Sequence, residues 1–278
     1  MNYGQYETER RLKSLSSKTG KYTSKLVFNI FKAFFILFLF LAVAGAAVGF
    51  GMIKGIIDNA PSVDIMNIQP DRFATTVYDA DGNLTETLVT SGSNRESATY
   101  EELPENLVNA FVAIEDSRFW THDGIDLRSI ARAVKGVVSD DYSGGGSTIT
   151  QQLARTVFLS NEKTWERKIE EMYIAVELEK KYTKEDILEF YLNNVYFANG
   201  YYGIEAAAQG YFGTDVSHLS LSQMIYLCAI PNNPTLYNPL TNPDKTEARR
   251  DRILKSMLED KVISENSYET AKAEKIET

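Results

Sequence analysis

Cysteine is almost missing: Cys228 stands alone among 278 residues, which excludes an internal disulfide. In the run Met224-Ile225-Tyr226-Leu227-Cys228-Ala229-Ile230 it reads as a small buried hydrophobe. Histidine is nearly as scarce, with only His122 and His218, so zinc chemistry built on Cys and His lacks ligands. Basic residues are outnumbered, 29 Lys and Arg against 38 Asp and Glu for a net charge of −9, and a general nucleic-acid binder is excluded. No internal repeat or low-complexity tract interrupts the chain. At 44% hydrophobic and 24% charged residues the composition is globular and excludes a disordered or collagen-like chain.

The charge that is present is unevenly placed. Residues 1–32 hold Arg10, Arg11, Lys13, Lys18, Lys21, Lys25 and Lys32 against Glu7 and Glu9, a net of +5, which leaves −14 for the remainder. Directly after them, Ala33 to Ile53 runs 21 residues without a charge, enough to cross roughly 30 Å of hydrocarbon and too long for the apolar region of a typical cleaved signal peptide. The spacing predicts a transmembrane helix over 33–53. The basic flank places residues 1–32 in the cytoplasm and the chain after about Ile57 outside. Gly45 and Gly49, then Gly51 and Gly55, repeat a spacing that lets a second helix approach closely.

Beyond the span, residues 54–72 read as a connector, 73–260 as the main external unit and 261–278 as a C-terminal segment. Phe73 to Tyr78 and Leu84 to Val89 flank Asp79-Ala80-Asp81-Gly82-Asn83, the pattern of a β-hairpin. From Pro104 onward the periodicity becomes helical. Leu107, Phe111 and Ile114 follow a proline suited to a first turn, and that helix delivers Glu115 and Asp116 to its end. A polar, Gly-rich loop at 140–146 precedes a helix over Thr148 to Leu159. Trp165, Ile169, Met172, Tyr173 and Val176 define the expected apolar stripe of the next. Thr183 with Asp186, and Ser220 with Gln223, have capping-box spacing. The fold class is therefore mainly α.

Five residue clusters carry chemistry. Glu115-Asp116-Ser117-Arg118-Phe119-Trp120-Thr121-His122-Asp123-Gly124 matches the pattern ED-x-x-F-x-x-H-x-G. Gly145-Gly146-Ser147-Thr148-Ile149-Thr150-Gln151-Gln152-Leu153-Ala154-Arg155 is similar to G-x-S-T-I-x-Q-Q-x-x-K. Arg167-Lys168-Ile169-Glu170-Glu171 matches R-K-x-x-E. Lys184 to Asn193 matches K-x-x-I-L-E-x-Y-L-N, and Arg249-Arg250-Asp251-Arg252-Ile253-Leu254 is similar to R-R-x-x-V-L. In this order, behind an N-terminal anchor, they resemble the peptidoglycan glycosyltransferases, the family-51 domain of class A penicillin-binding proteins.

That resemblance implies a lysozyme-like head with a membrane-proximal jaw, and polymerisation of lipid II onto a lipid-linked glycan strand with inversion at the anomeric carbon. It implies Glu115 as the base and Glu171 as the second essential carboxylate. Ser147, Thr148, Gln151, Gln152, Arg155, Lys163, Arg167 and Lys168 are implied as substrate and diphosphate contacts, with Asp116, Phe119, His122, Gly124 and Asn193 as supports. Arg167 and Lys168 lie one turn before Glu171, so one helix face can present a carboxylate and two cations. Two positions depart from the pattern: Arg155 stands where the family has Lys and Lys163 where it commonly has Arg, and a guanidinium grips phosphate bidentately as an ammonium does not. A divalent cation, magnesium or manganese, is implied near the diphosphate, with no residue assigned to hold it. The implied partners are lipid II, the growing strand, the cytoplasmic membrane and other cell-wall synthesis proteins, with no nucleic acid.

Short strings similar to transpeptidase motifs, Ser160-Asn161-Glu162-Lys163, Ser264-Glu265-Asn266 and Lys18-Thr19-Gly20, fall in the wrong order and the wrong compartment. No transpeptidase site is expected in this chain. The chain is expected to be either a monofunctional transglycosylase or the N-terminal part of a bifunctional protein, and Ala271 to Ile276, which resembles the stretch that leads toward a transpeptidase domain, favours the second. A lytic muramidase on the same fold and an inactive membrane-anchored wall scaffold are the alternatives.

Overall fold

The computed structural model describes residues 4–63, 68, 75–81, 84–88, 96–139, 145–160, 162 and 164–278. The chain divides into two compact units, Met1–Asn59 and Ala60–Thr278.

The first unit is one helix, α1 (Gln5–Asp58). No break marks residue 32 or 33: the expected basic tail, the span and the first residues of the expected connector form one continuous helix. Its stretch Lys25–Asp58 is long and apolar enough to cross a membrane, and Phe34, Phe35, Leu37, Phe38 and Phe40 project outward. It stops at Asn59, whose amide nitrogen donates to the Ile56 carbonyl at 3.2 Å and whose side chain donates to the Gly55 carbonyl at 2.7 Å. Open space surrounds Gly45, Gly49, Gly51 and Gly55.

The second unit begins with an antiparallel pair, β1 (Thr75–Tyr78) and β2 (Leu84–Leu88), in the register Thr75↔Leu88 to Tyr78↔Leu84 with an irregularity at Val77/Tyr78. Asp79 accepts from the Asp81 amide at 2.9 Å, the side-chain turn that Asp favours. Phe73, Gly82, Asn83 and Val89 of the expected hairpin lie outside the described residues.

Helices follow: α2 (Glu105–Glu115), α3 (Leu127–Ser139), α4 (Ile149–Phe158), α5 (Trp165–Lys181), α6 (Lys184–Asn194), α7 (Ile204–Phe212), α8 (Leu221–Cys228), α9 (Pro243–Glu259) and α10 (Glu265–Ala273). Local chemistry accounts for their starts. Thr148, Thr183 and Ser220 each accept from the backbone nitrogen three residues on, and Gln151, Asp186 and Gln223 return the bond, which satisfies donors that a helix start otherwise leaves open. α4 packs on α5 and α6, α2 on α8, and α9 on α8 and α10. Phe111, Tyr191 and Phe197 meet edge to face at the centre of one hydrophobic core, where Cys228 is also buried.

One expectation, the apolar stripe of α5, is corrected. The core face of α5 carries Glu171, Ile174, Ala175 and Leu178, and Trp165 is 53% exposed. The apolar stripe through Trp165 was displaced because a carboxylate, Glu171, occupies the buried face. At the C-terminus, α10 packs on α8 and α9. Arg250, 1% exposed, donates to Ser222 and to the Glu274 carbonyl at 3.2 Å each, and Ser220 donates to Glu274 at 2.6 Å. Residues 261–274 therefore belong to the body of this unit.

Candidate active site

Glu115 is the last residue of α2, partly exposed, and its carboxylate accepts from the Gln152 amide nitrogen on α4 at 2.9 Å. It lines two cavities. One, of about 500 Å³, is lined by Ile114, Glu115, Gly145, Ser147, Gln152, Arg155, Pro231, Asn232 and Arg249. The other, of about 180 Å³, shares Ile114, Glu115, Gly145 and Ser147 and adds Ala113, Asp116, Ser117, Ser129, Arg132 and Thr148. A carboxylate that lines both can take a proton from a hydroxyl entering either space, with a guanidinium group in each to meet an anion.

Glu171, fully buried, receives the two cations at the start of its own helix. Arg167 donates to one oxygen at 3.3 Å and Lys168 pairs with the other. Lys168 reaches on to the Ser147 hydroxyl at 2.8 Å and the Gln151 carbonyl at 3.4 Å, so the expected R-K-x-x-E face is assembled toward the loop before α4. Arg167 Nε is buried with no hydrogen-bond partner among the described residues, and Arg155 makes no hydrogen bond or ion pair among them. Unpaired donors of this kind are costly unless a ligand meets them.

Thr148 and Gln151 are each 1% exposed: their side chains cap α4, and the Thr148 hydroxyl donates to the Gly124 carbonyl at 2.7 Å, while Thr148 also lines the smaller cavity. Ser147 and Gln152 do line the large cavity. Lys163 lies outside the described residues, as does 140–144 of the Gly-rich loop.

The supports form one connected brace. Asp116 accepts from the Ile149 amide at the start of α4, at 3.0 Å, and from His122 Nε2 at 2.8 Å. The Gly124 amide donates to His122 Nδ1 at 3.1 Å, which fixes the tautomer with its proton on Nε2. Phe119, fully buried, meets Trp120 and His122 edge to face. Lys184 lies 4.4 Å over the Phe119 ring and donates to the His122 carbonyl at 2.6 Å. Asn193 exchanges both amide bonds with Ala98, at 3.0 and 2.8 Å, so it holds framework away from the cavities. Gly124 has a φ of 88°, and a Cβ there would stand 2.7 Å from the Ala175 carbonyl oxygen of α5. Gly124→Ala should cost about 3 kcal/mol or more from clash and left-handed strain together; a thermal melt within a degree of wild type would contradict this.

A sequence model of the family described as transglycosylase matches residues 81–258. The chain belongs to the transglycosylase family. Among the relatives of this transglycosylase chain, Penicillin-binding protein 4 of Bacillus subtilis (strain 168) is 42% identical over 201 residues, covering 72% of this chain and 32% of that protein. Penicillin-binding protein 1A/1B of the same organism is 39% identical over 274 residues, 96% of this chain and 29% of that one. Penicillin-binding protein 1A of Escherichia coli (strain K12) is 38% identical over 247 residues, 88% and 29%. The chain spans about a third of the length of these curated relatives.

The candidate site contains residues that the sequence patterns left without a role. Arg249, in the fifth motif, lines the large cavity with Pro231 and Asn232, stands 4.8 Å over the Tyr237 ring, and has a buried Nε with no hydrogen-bond partner among the described residues. Its neighbour Arg250 turns the other way, into the body of the protein. Their helical offset of about 100° separates the two, but adjacent arginines carry no mark of which faces the cleft. Arg118 and Asp126 form an ion pair beside the first motif, with Asp126 also bonded by Ser129 at 2.6 Å and the Arg128 amide at 3.0 Å at the start of α3.

Burial alone raises the Asp126 carboxyl, but the bonds from Arg118, Ser129 and the Arg128 amide outweigh it and hold the group far below the usual carboxylate range. A group so lowered adds stability that is complete above its unfolded value of about 3.9 and is lost as pH falls toward the folded one. Asp126→Asn should lower the melting temperature at neutral pH and flatten its decline below about pH 4; parallel declines for variant and wild type would contradict this.

The donor set gives no cage for the implied divalent cation. Among the described residues no three His, Cys, Asp or Glu side chains come together to hold a metal, and both oxygens of Glu171 are engaged by cations.

Proposed function

We propose that this transglycosylase chain extends a lipid-linked glycan strand with the disaccharide of lipid II, releasing polyprenyl diphosphate. The observation that carries the reading is the place of Glu115, a carboxylate that lines two cavities, both of which hold a guanidinium group. In the proposed step the sugar 4-hydroxyl oxygen attacks the anomeric carbon of the strand, the bond from that carbon to the diphosphate oxygen breaks, and the hydroxyl proton passes to Glu115. Displacement from the face opposite the leaving group inverts the anomeric centre. The electron pair leaves with the diphosphate, whose charge Arg155, Arg249, Lys168 and Arg167 are placed to meet, with Lys163 assigned to the same role from the sequence.

Glu171 aims Arg167 and Lys168 and offsets one unit of their charge until the anion arrives. Ser147 and Gln152 orient substrate and base. The basic start of α1 and its apolar stretch favour a single-pass anchor with the N-terminus in the cytoplasm and the site outside, where lipid-linked substrates meet it at the membrane. Release of polyprenyl diphosphate from lipid II by the purified chain, followed by mass spectrometry, tests the reading. One diphosphate per disaccharide joined is expected. Cleavage of preformed glycan without diphosphate release would favour the lytic alternative.

A further inference from the structure

We infer that Tyr191, on α6, is a positioning residue for the base: its hydroxyl fixes which end of the Gln152 amide faces Glu115. The inference rests on Glu115 being the base of the proposed reaction. Gln152 bridges the two groups. Its nitrogen donates to Glu115 at 2.9 Å, and its carbonyl accepts from the Tyr191 hydroxyl at 3.5 Å.

An amide has two nearly isosteric ends, so something must choose between them. An ionised Glu115 repels the carbonyl end. Tyr191 adds to that choice from the far side, because a hydroxyl that donates pins the oxygen toward itself and leaves the nitrogen for the carboxylate. The ring is 2% exposed and packs edge to face on Phe111 of α2, the helix that ends in Glu115. The hydroxyl thus has a fixed origin on the same packed core that carries the base. Burial first, and then the Glu115 charge, push the Tyr191 phenol well above its ordinary value, so it stays a donor throughout the working range.

Gln152 and Arg155 face Glu115 from α4 and Arg249 from α9, Asp116 and Arg132 of α3 line the smaller cavity with it, and Tyr191 on α6 and the Cys228 thiol on α8, itself raised by burial and then by Glu115, feel its charge. Of these, Tyr191 alone bonds the partner of the base.

The test is Tyr191→Phe in the full chain in detergent, alone and combined with Gln152→Ala. The ring and its packing are kept, so a melting temperature near wild type is expected. Loss of one donor to an amide that serves a charged group should lower kcat about 3- to 10-fold with KM within about twofold. In the Gln152→Ala background the phenylalanine should change nothing further, since the link is already gone.

The nitrogen-15 resonance of the Gln152 side-chain amide, assigned by its disappearance in Gln152→Ala, reads the same link without turnover and should shift in Tyr191→Phe. An unmoved amide resonance, or the same kcat loss in both backgrounds, overturns the assignment of Tyr191. A wild type that makes no polymer while its Gln152 amide still responds to Tyr191→Phe overturns the proposed reaction and leaves the positioning intact.

Discussion

Replacing Glu115 by glutamine is expected to reduce glycan polymerisation by roughly 10²- to 10⁴-fold, the range for loss of a general base, with little change in stability. The isostere occupies the same volume at the end of α2. Its own amide can turn its oxygen to the Gln152 nitrogen, so the 2.9 Å contact keeps a partner and only the proton acceptor is lost. Substrate binding should be nearly unaffected, because Arg155, Arg249 and Arg132 remain on the cavity walls. The loss should fall on kcat rather than on KM. Polymer yield on a gel alongside a thermal melt checks this. A folded variant with more than a tenth of the wild-type rate would remove Glu115 from the mechanism.

Replacing Glu171 by glutamine should lower kcat by about 10²-fold, within the range seen when a preorganised electrostatic contact is removed, without raising KM. Glu171 is fully buried and holds Arg167 and Lys168. Losing its charge leaves that cluster one unit more positive, which favours the diphosphate in the ground state while the cations lose their common anchor. An amide in this place accepts from one cation and leaves its own nitrogen facing the other, so about 1–3 kcal/mol of stability should be lost as well. Steady-state kinetics with lipid II separates the two effects. A rise in KM at constant kcat would show that Glu171 acts in binding alone.

Much of the fold was legible because its signals are local. The Thr183–Asp186 and Ser220–Gln223 boxes form as read, and the periodicity of Leu107 and Phe111 placed Glu115 at a helix end. The Thr148–Gln151 spacing also forms a box, so the same two side chains that stand in the second motif cap α4.

Other features depend on what lies across the core. The buried face of α5 was misplaced because period arguments assume that charged residues face water, and Glu171 does not. Tyr191 sits in an apolar run where its ring fits ordinary packing, and only the approach of Gln152 from α4 gives its hydroxyl a role. Arg249 and Arg250 are adjacent and alike in sequence, yet one faces a cavity and the other is 1% exposed among Ser222, Glu247, Asp251 and Glu274. Pro231 and Asn232 enter the site from a connection after α8 that carries no chemical pattern of its own.

The most direct test of the central claim places the purified wild-type chain in detergent with labelled lipid II and, in the same tube, unlabelled glycan strands of known length. The account predicts that label enters saccharides longer than a disaccharide and that the unlabelled strands keep or gain length. Label confined to the disaccharide while the strands shorten would contradict it and make the chain a lytic enzyme.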